Sequence, residues 1–326
     1  MDNEIKEKLL DLYPNIDALN LPNWVKEQAS EAYVIDSQKQ TILLPNGEKY
    51  QLNNTLNHLS GSEWTYFINS VVNTKYSTKG SDSYAFNIRK IHPTPKPPQL
   101  MAEIIKFFTK ENEVVFDYFM GVGGTLLGAS LTNRIGYGVD LNAKYIDAYK
   151  KASKFLNLTE HNCVNADAVE FLSNPHNLSS LLSGKKISLV LLDPPYFNMM
   201  SKKKTGADMS IYGNNATPFT ESPLDLGNMN KDDFLNNLKL SVEKTLPFVK
   251  KRGHIVIFIK DMQPNKKSLN LLHNEIIEKL NEINNIYYKG LKIWADQTSK
   301  LFPYGYPFSF VANQIHQYIL IFRKEF

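Results

Sequence analysis

The sequence predicts an α/β fold: a doubly wound, mostly parallel sheet closed by a terminal antiparallel strand pair, with a small module at residues 1–85 ahead of it. Three observations carry this. From about residue 86 onward, short apolar runs alternate with amphipathic stretches, the pattern of strands joined by crossover helices. A proline-rich stretch, HPTPKPP, separates that region from what precedes it, and its rigidity marks a boundary. Before it, TILLPNGEKYQL holds two short strands around an Asn-Gly turn, which is a hairpin rather than a crossover.

The elements follow in order. QLMAEIIKFFT reads as a helix opened by the prolines. EVVFDYF (113–119) is an apolar strand, TLLGASL a helix, IGYGVDL (135–141) a second strand and NAKYIDAYKKASKFL a second helix. CVNADAVEFL suggests a third strand ending near Asp167. ISLVLLD (187–193) and GHIVIFIKD (253–261) have the continuous apolar character of strands covered on both faces, with FLNNLKLSVEKTLPFV as the helix between them. YYKGLKIWAD and QYILIFRK read as the closing antiparallel pair.

Composition narrows the classes of function. A chain of 326 residues, 42% hydrophobic, can bury a substantial core. No stretch approaches the roughly 20 apolar residues that cross a bilayer, and MDNEIKEKLLDLYPN lacks the basic-then-apolar pattern of a secretory signal, so the cytoplasm is expected and no membrane partner. The single cysteine, Cys163, excludes an internal disulfide, and the seven histidines lack ligand spacing; no metal is expected. A net charge of +4 does not by itself demand a polyanionic partner. Basic residues do cluster in expected loops or helix ends, at Lys202, Lys203 and Lys204, at Lys250, Lys251 and Arg252, and at Lys266 with Lys267. Such clusters suit solvated surface and are also compatible with a phosphate backbone.

Ligands of such sheets bind beyond the carboxyl ends of the strands, where strand order reverses. In FDYFMGVGGT, Gly121, Gly123 and Gly124 form a turn between a strand and a helix. The dinucleotide pattern GxGxxG fails at Leu126, and the phosphate loop GxxxxGK[ST] fails at Ala129. What stays is a glycine turn followed, about 20 positions on, by an acid ending the next strand, Asp140, the separation at which a carboxylate meets ribose hydroxyls. A nucleoside-bearing cofactor without a pyrophosphate fits this, although the glycines also serve a plain strand-to-helix turn. The second edge carries Asp193, Pro194, Pro195 and Tyr196 directly after an apolar strand: an ordinary turn by itself, or a carboxylate, a stiff carbonyl and an aromatic face held together.

On these residues the chain resembles the S-adenosylmethionine-dependent DNA amino-methyltransferases, the adenine-N6 and cytosine-N4 family. Their FxGxG motif is matched by Phe119, Gly121 and Gly123, their [DNS]PP[YFW] motif by Asp193 to Tyr196, and a HPTxKPxxL element by His92 through Leu100; QIHQYILIFRK resembles their last strand. The likeness covers about 86–326. It implies a class I S-adenosylmethionine methyltransferase fold and S-adenosylmethionine as cofactor, held by Asp117, Phe119, Gly121 and Gly123 at the glycine turn. It further implies Asp140 on the ribose, Asp167 on the cofactor's adenine amine, and Lys96 or Thr94 near its methionine carboxylate. The Asp193 carboxylate and the Pro194 carbonyl would each take one N–H of the target amine, Pro195 would stiffen the turn, and Tyr196 would stack on a flipped base.

Asp in the first motif position resembles the adenine-N6 enzymes, so the expected partner is DNA, duplex with a flipped adenine or single-stranded, in a restriction-modification setting. The motif order resembles the alpha and gamma subgroups, yet only about 70 residues separate Gly123 from Asp193, too few for a target-recognition domain as well as the fold. Recognition is then expected from the N-terminal module with its EWTYF (63–67), from the insert NMMSKKKTGADMSIYGNNATPF, or from a second subunit. Two alternatives stand beside this reading: a transfer-RNA guanine amino-methyltransferase, and a catalytically silent nucleic-acid-binding subunit.

Overall fold

The computed structural model describes residues 6–36, 38–197, 219–262 and 269–326. The lysine clusters at 202–204 and 266–267, and most of the insert after Tyr196, lie outside them.

Residues 7–51 build a small antiparallel sheet in the order β1 (Glu7–Lys8), β2 (Tyr33–Val34), β3 (Thr41–Leu43), β4 (Lys49–Gln51). β3 and β4 are the expected hairpin around Asn46 and Gly47. Ile42, Leu44 and Tyr50 are buried from this sheet. They cluster with Leu9 of α1 (Leu9–Leu12) and Val25 of α2 (Asn23–Lys26). The helix α3 (Gly61–Phe67) begins at a capping box in which Ser60 and Glu63 satisfy each other's backbone N–H. β5 (Val71–Thr74) then pairs in parallel with β11 (Ile286–Asp296) and is an outermost strand of the main sheet.

That sheet has eight strands in the order β5-β11-β12-β10-β9-β6-β7-β8. Its remaining members are β6 (Val114–Asp117), β7 (Ile135–Asp140), β8 (Asn162–Asn165), β9 (Ile187–Leu192), β10 (Val249–Ile259) and β12 (His316–Lys324). β8, β7, β6, β9 and β10 run parallel to one another, and β12 is antiparallel to both β10 and β11. Every residue of β6 and β9 is buried, which explains their uninterrupted apolar sequence. After α4 (Phe86–Arg89), the helices α5 (Pro98–Phe108), α6 (Gly124–Leu131), α7 (Ala143–Phe155), α8 (Ala168–Ser173), α9 (Pro175–Leu182), α10 (Lys231–Thr245) and α11 (Leu272–Asn281) complete the layers. One face of the sheet packs on apolar residues of α8 to α11, the other on α5. The strand order reverses between β6 and β9, so their carboxyl ends lie side by side.

One expectation needs correction. Lys250, Lys251 and Arg252 are not in a loop or helix end but inside β10, where the pairing with β9 shifts register between Val249 and His254. A bulge lets polar residues occupy a strand whose other positions are buried. No helix among the described residues is long and apolar enough to cross a membrane.

Candidate active site

The site grows from the two strand ends at the switch point. β6 finishes at Asp117, 2% exposed, whose Oδ1 accepts the Phe119 N–H at 3.0 Å. Burial pushes its carboxyl up to about 7. The chain then turns through Gly121 (φ 50°) and Gly123 (φ 76°), left-handed values that glycine adopts without steric cost. The Gly121 N–H donates to Asp140 Oδ2 at 2.7 Å, and the Asn142 N–H donates to Asp140 Oδ1 at 2.8 Å. The acid ending β7 thereby fixes the glycine turn after β6, and each carboxylate oxygen keeps acceptor capacity for a further donor. Burial raises Asp140 to about 6, against those two backbone hydrogen bonds.

Across the switch point, Asp193 to Tyr196 follow β9. The Lys96 ammonium sits 2.6 Å from Asp193 Oδ2, and Lys96 is only 9% exposed. Its backbone is held in turn by Arg89, 1% exposed, which donates from a terminal nitrogen to the Lys96 carbonyl at 2.9 Å and from Nε to the Tyr84 carbonyl at 3.1 Å. Burial lowers Arg89 to about 10, which leaves it charged at neutral pH. Thr94 is exposed, and its N–H donates to His92 Nδ1 at 3.2 Å. Tyr196 is buried, which raises its phenol well above the ordinary value, with Asp193 adding to the shift.

A cavity of about 570 Å³ joins the two walls. Of the residues singled out in the sequence, it is lined by Thr94, Lys96, Phe119, Gly121, Asp140, Asp167, Asp193, Pro194, Pro195 and Tyr196. Asp117 lies in a small adjoining pocket that shares Lys96, Gly121 and Asp193. Gly123 faces neither: a Cβ there would overlap the Tyr149 ring, so its place is in the turn's packing. Asp167 also caps α8, accepting the Glu170 N–H at 2.8 Å.

Sequence reasoning did not single out several lining groups. His92 stacks on Phe219 at 5.0 Å between ring centroids and meets the edge of Tyr145 at 4.8 Å. Burial, reinforced by Lys96 and Arg89, pushes His92 down to about 3, so the ring is neutral at pH 7. His92 opens HPTPKPP but was given no role of its own; of the other lining acids and rings, Asp261 ends the apolar run 253–261 much as Asp193 ends 187–193, whereas Phe219 and Asp225 stand in stretches with no periodic or motif signal. Five carboxylates (Asp140, Asp167, Asp193, Asp225, Asp261) against two lysines (Lys96, Lys260) make this lining acidic. Such a lining suits a cationic ligand rich in hydroxyl and amine donors and repels one carrying phosphates. A sulfonium-bearing nucleoside fits that donor set.

The strand order, with its antiparallel strand between β10 and β11 and a glycine turn at the switch point, is that of the class I S-adenosylmethionine methyltransferase fold. Residues 8–151 match the N6_N4_Mtase family model, described as DNA methylase. The chain is 32% identical over 136 residues to the type II methyltransferase M1.MboII of Moraxella bovis, covering 42% of this chain and 44% of that protein. It is 27% identical over 148 residues to the tRNA (guanine(10)-N(2))-methyltransferase TRMT11 of Bos taurus, covering 41% of this chain and 32% of the relative. Among solved structures it is similar to TrmN from Thermus thermophilus, with a TM-score of 0.44 and 12% identity over 74% of this chain and 53% of that one. Over residues 8–151 the chain is thus similar to the N6/N4 DNA methylase family. The matched stretches span less than half the length of these curated relatives. The family match takes in HPTPKPP and the glycine turn, extends upstream to residue 8, and ends at 151, before Asp193.

Proposed function

We propose that the protein transfers a methyl group from S-adenosylmethionine to the exocyclic N6 of adenine in DNA, the base being flipped from a duplex or presented in a single strand. One observation carries the reading: Gly121 with Asp140 and the Asp193–Tyr196 turn line the same cavity. The bound cofactor supplies an electrophilic methyl group on a sulfonium. Asp140, beside the Gly121 backbone, offers lone pairs to ribose hydroxyls, and Asp167 accepts from the cofactor's adenine amine. No described group donates to Asp193 Oδ1 or to the Pro194 carbonyl. Each takes one N–H of the target amine, draws its lone pair out of conjugation with the ring and aims it, so that catalysis is placement and preorganised dipoles. Tyr196 provides the surface for the base, a stacking contact of roughly 1–3 kcal/mol.

Asp in the first motif position supports adenine over cytosine, and the type II relatives support a restriction-modification setting. The similarity to a transfer-RNA guanine methyltransferase favours the second reading, an RNA amine as acceptor. The purified protein, incubated with radiolabelled S-adenosylmethionine and duplex DNA, single-stranded DNA or transfer RNA in parallel, should place label in DNA as N6-methyladenine. Label only in transfer RNA, or N4-methylcytosine as the product, would overturn the proposal. Asp193→Ala should abolish transfer while cofactor binding, followed by calorimetry, persists.

A further inference from the structure

At the opposite end of β10 from the acidic cavity lies a second cleft, of about 920 Å³, that the proposed reaction does not use. One wall is β4, the loop after it and the start of α3; the other is the beginning of β10 with Arg323 of β12. Its charge is one-sided. Lys49, Lys250, Lys251, Arg252 and Arg323 line it, and among the described residues no carboxylate does. Lys250 and Arg323 are engaged by Glu113 and Glu325. Lys49, Lys251 and Arg252 are exposed and have no ion pair among the described residues.

The β10 bulge is what presents Lys251 and Arg252. Pairing with β9 runs from Val249↔Ile187 to His254↔Leu189, so five steps on β10 oppose two on β9 and the residues between stand out of the ladder. Arg252 is held there at φ 62°, a conformation unusual for a long side chain and free of strain for glycine. Strain of this kind persists where surrounding structure enforces it, often at ligand sites. Beside it, His254 is 7% exposed, and its buried Nδ1 has no hydrogen-bond partner among the described residues. Asn53, Asn54 and Thr55 line the cleft across from the cations, with Leu56 and the half-buried Trp64 supplying an apolar patch.

We propose that this cleft binds a nucleotide unit, free or carried in a nucleic-acid strand, with its phosphates against Lys251 and Arg252 and its base against Leu56 and Trp64. Cations without acids suit phosphate, and an aromatic face beside them suits a base. From His254 to Lys260, which lines the acidic cavity, β10 spans about 20 Å at roughly 3.3 Å per residue. The occupant is therefore not the base undergoing reaction.

Fluorescence anisotropy of the full chain with labelled ATP, and separately with a short labelled oligothymidine, tests this. At low salt at least one probe should bind. The double variant Lys251→Gln/Arg252→Gly should weaken binding about tenfold or more and flatten its salt dependence. Arg252→Gly also relieves the left-handed strain, so the single variant should melt no lower than the parent, which separates lost binding from lost folding. Binding of ATP alone assigns a free nucleotide, and binding of the strand alone assigns nucleic acid. The proposal fails if neither probe binds, if the double variant binds as the parent does, or if poly-glutamate occupies the cleft in their place. Because the readout is binding and not methyl transfer, it stands or falls separately from the proposed reaction.

Discussion

The part-buried contact between Lys96 and Asp193 joins two motifs 97 positions apart. The resemblance puts Lys96 or Thr94 near the cofactor's methionine carboxylate, whereas the structure sets the Lys96 ammonium on the carboxylate that would receive the target amine. One oxygen of Asp193 is thus anchored while the other stays available, which fixes the plane of the group. Lys96→Met should cut the transfer rate by about tenfold to a hundredfold with cofactor affinity nearly unchanged, and Lys96→Arg should recover part of it. Calorimetry with S-adenosylmethionine decides between the roles: weakened cofactor binding with saturated turnover intact would return the lysine to the cofactor. Asp193, Tyr196 and Gly121 were legible because their motifs are contiguous and the chemistry restricts the residue type, and Asp140 because it ends the strand after the glycine turn at a set separation. The pairing of Lys96 with Asp193 was not, since nothing local in HPTPKPP says which distant side chain it will meet. Gly123 was legible as a turn residue, but its opposite number, Tyr149, comes from α7 and is set only by packing.

At the level of elements, the turn between β6 and α6 is the tightest constraint near the site. Gly123→Ala adds a methyl group into the Tyr149 ring at a left-handed position. It should destabilise the protein by about 2–4 kcal/mol in urea melts, although Gly123 lines no cavity. A stability equal to the parent's would mean that Tyr149 moves aside freely. β6, β9 and β10 were readable as strands because burial on both faces demands unbroken apolar runs. β5 and the two-residue strands β1 and β2 were not, because four residues or fewer, partly exposed, leave no periodicity to detect. The bulge at the start of β10 escaped for a related reason. Lys-Lys-Arg-Gly looks like a connection, and only the ladder with β9 shows it to be part of a strand.

For the molecule as a whole, proton binding sets the pH range of stability. Burial pushes His58 and His161 down to about 4 and His92 and His254 down to about 3. A histidine lowered in the folded state contributes stability that is complete above about pH 6.5 and is lost as pH falls toward those values. Asp117 and Asp140, raised by burial, act with the opposite sign: the native protein keeps their protons after the unfolded chain has released them, so their contribution declines as pH climbs from about 4 toward 7 and 6. Burial raises Glu103 and Asp225 in the same sense but by less, so the four strongly lowered histidines outweigh these carboxyls. Unfolding free energy should therefore rise with pH between about 4 and 6, by at most about 1.4 kcal/mol per pH unit for each net proton, and Asp117→Asn should steepen that rise; a flat profile in urea melts would contradict it. Lastly, β5 has a bearing on how the protein can be cut. Thr74 Oγ1 receives the Trp294 indole N–H at 2.7 Å, and the Lys292 ammonium reaches the carbonyls of Phe67 and Asn69. A fragment trimmed to start at the proline-rich stretch would lose this hem, orphan the indole and bare a long raw border on β11, and it should elute from gel filtration as aggregate where the intact chain does not.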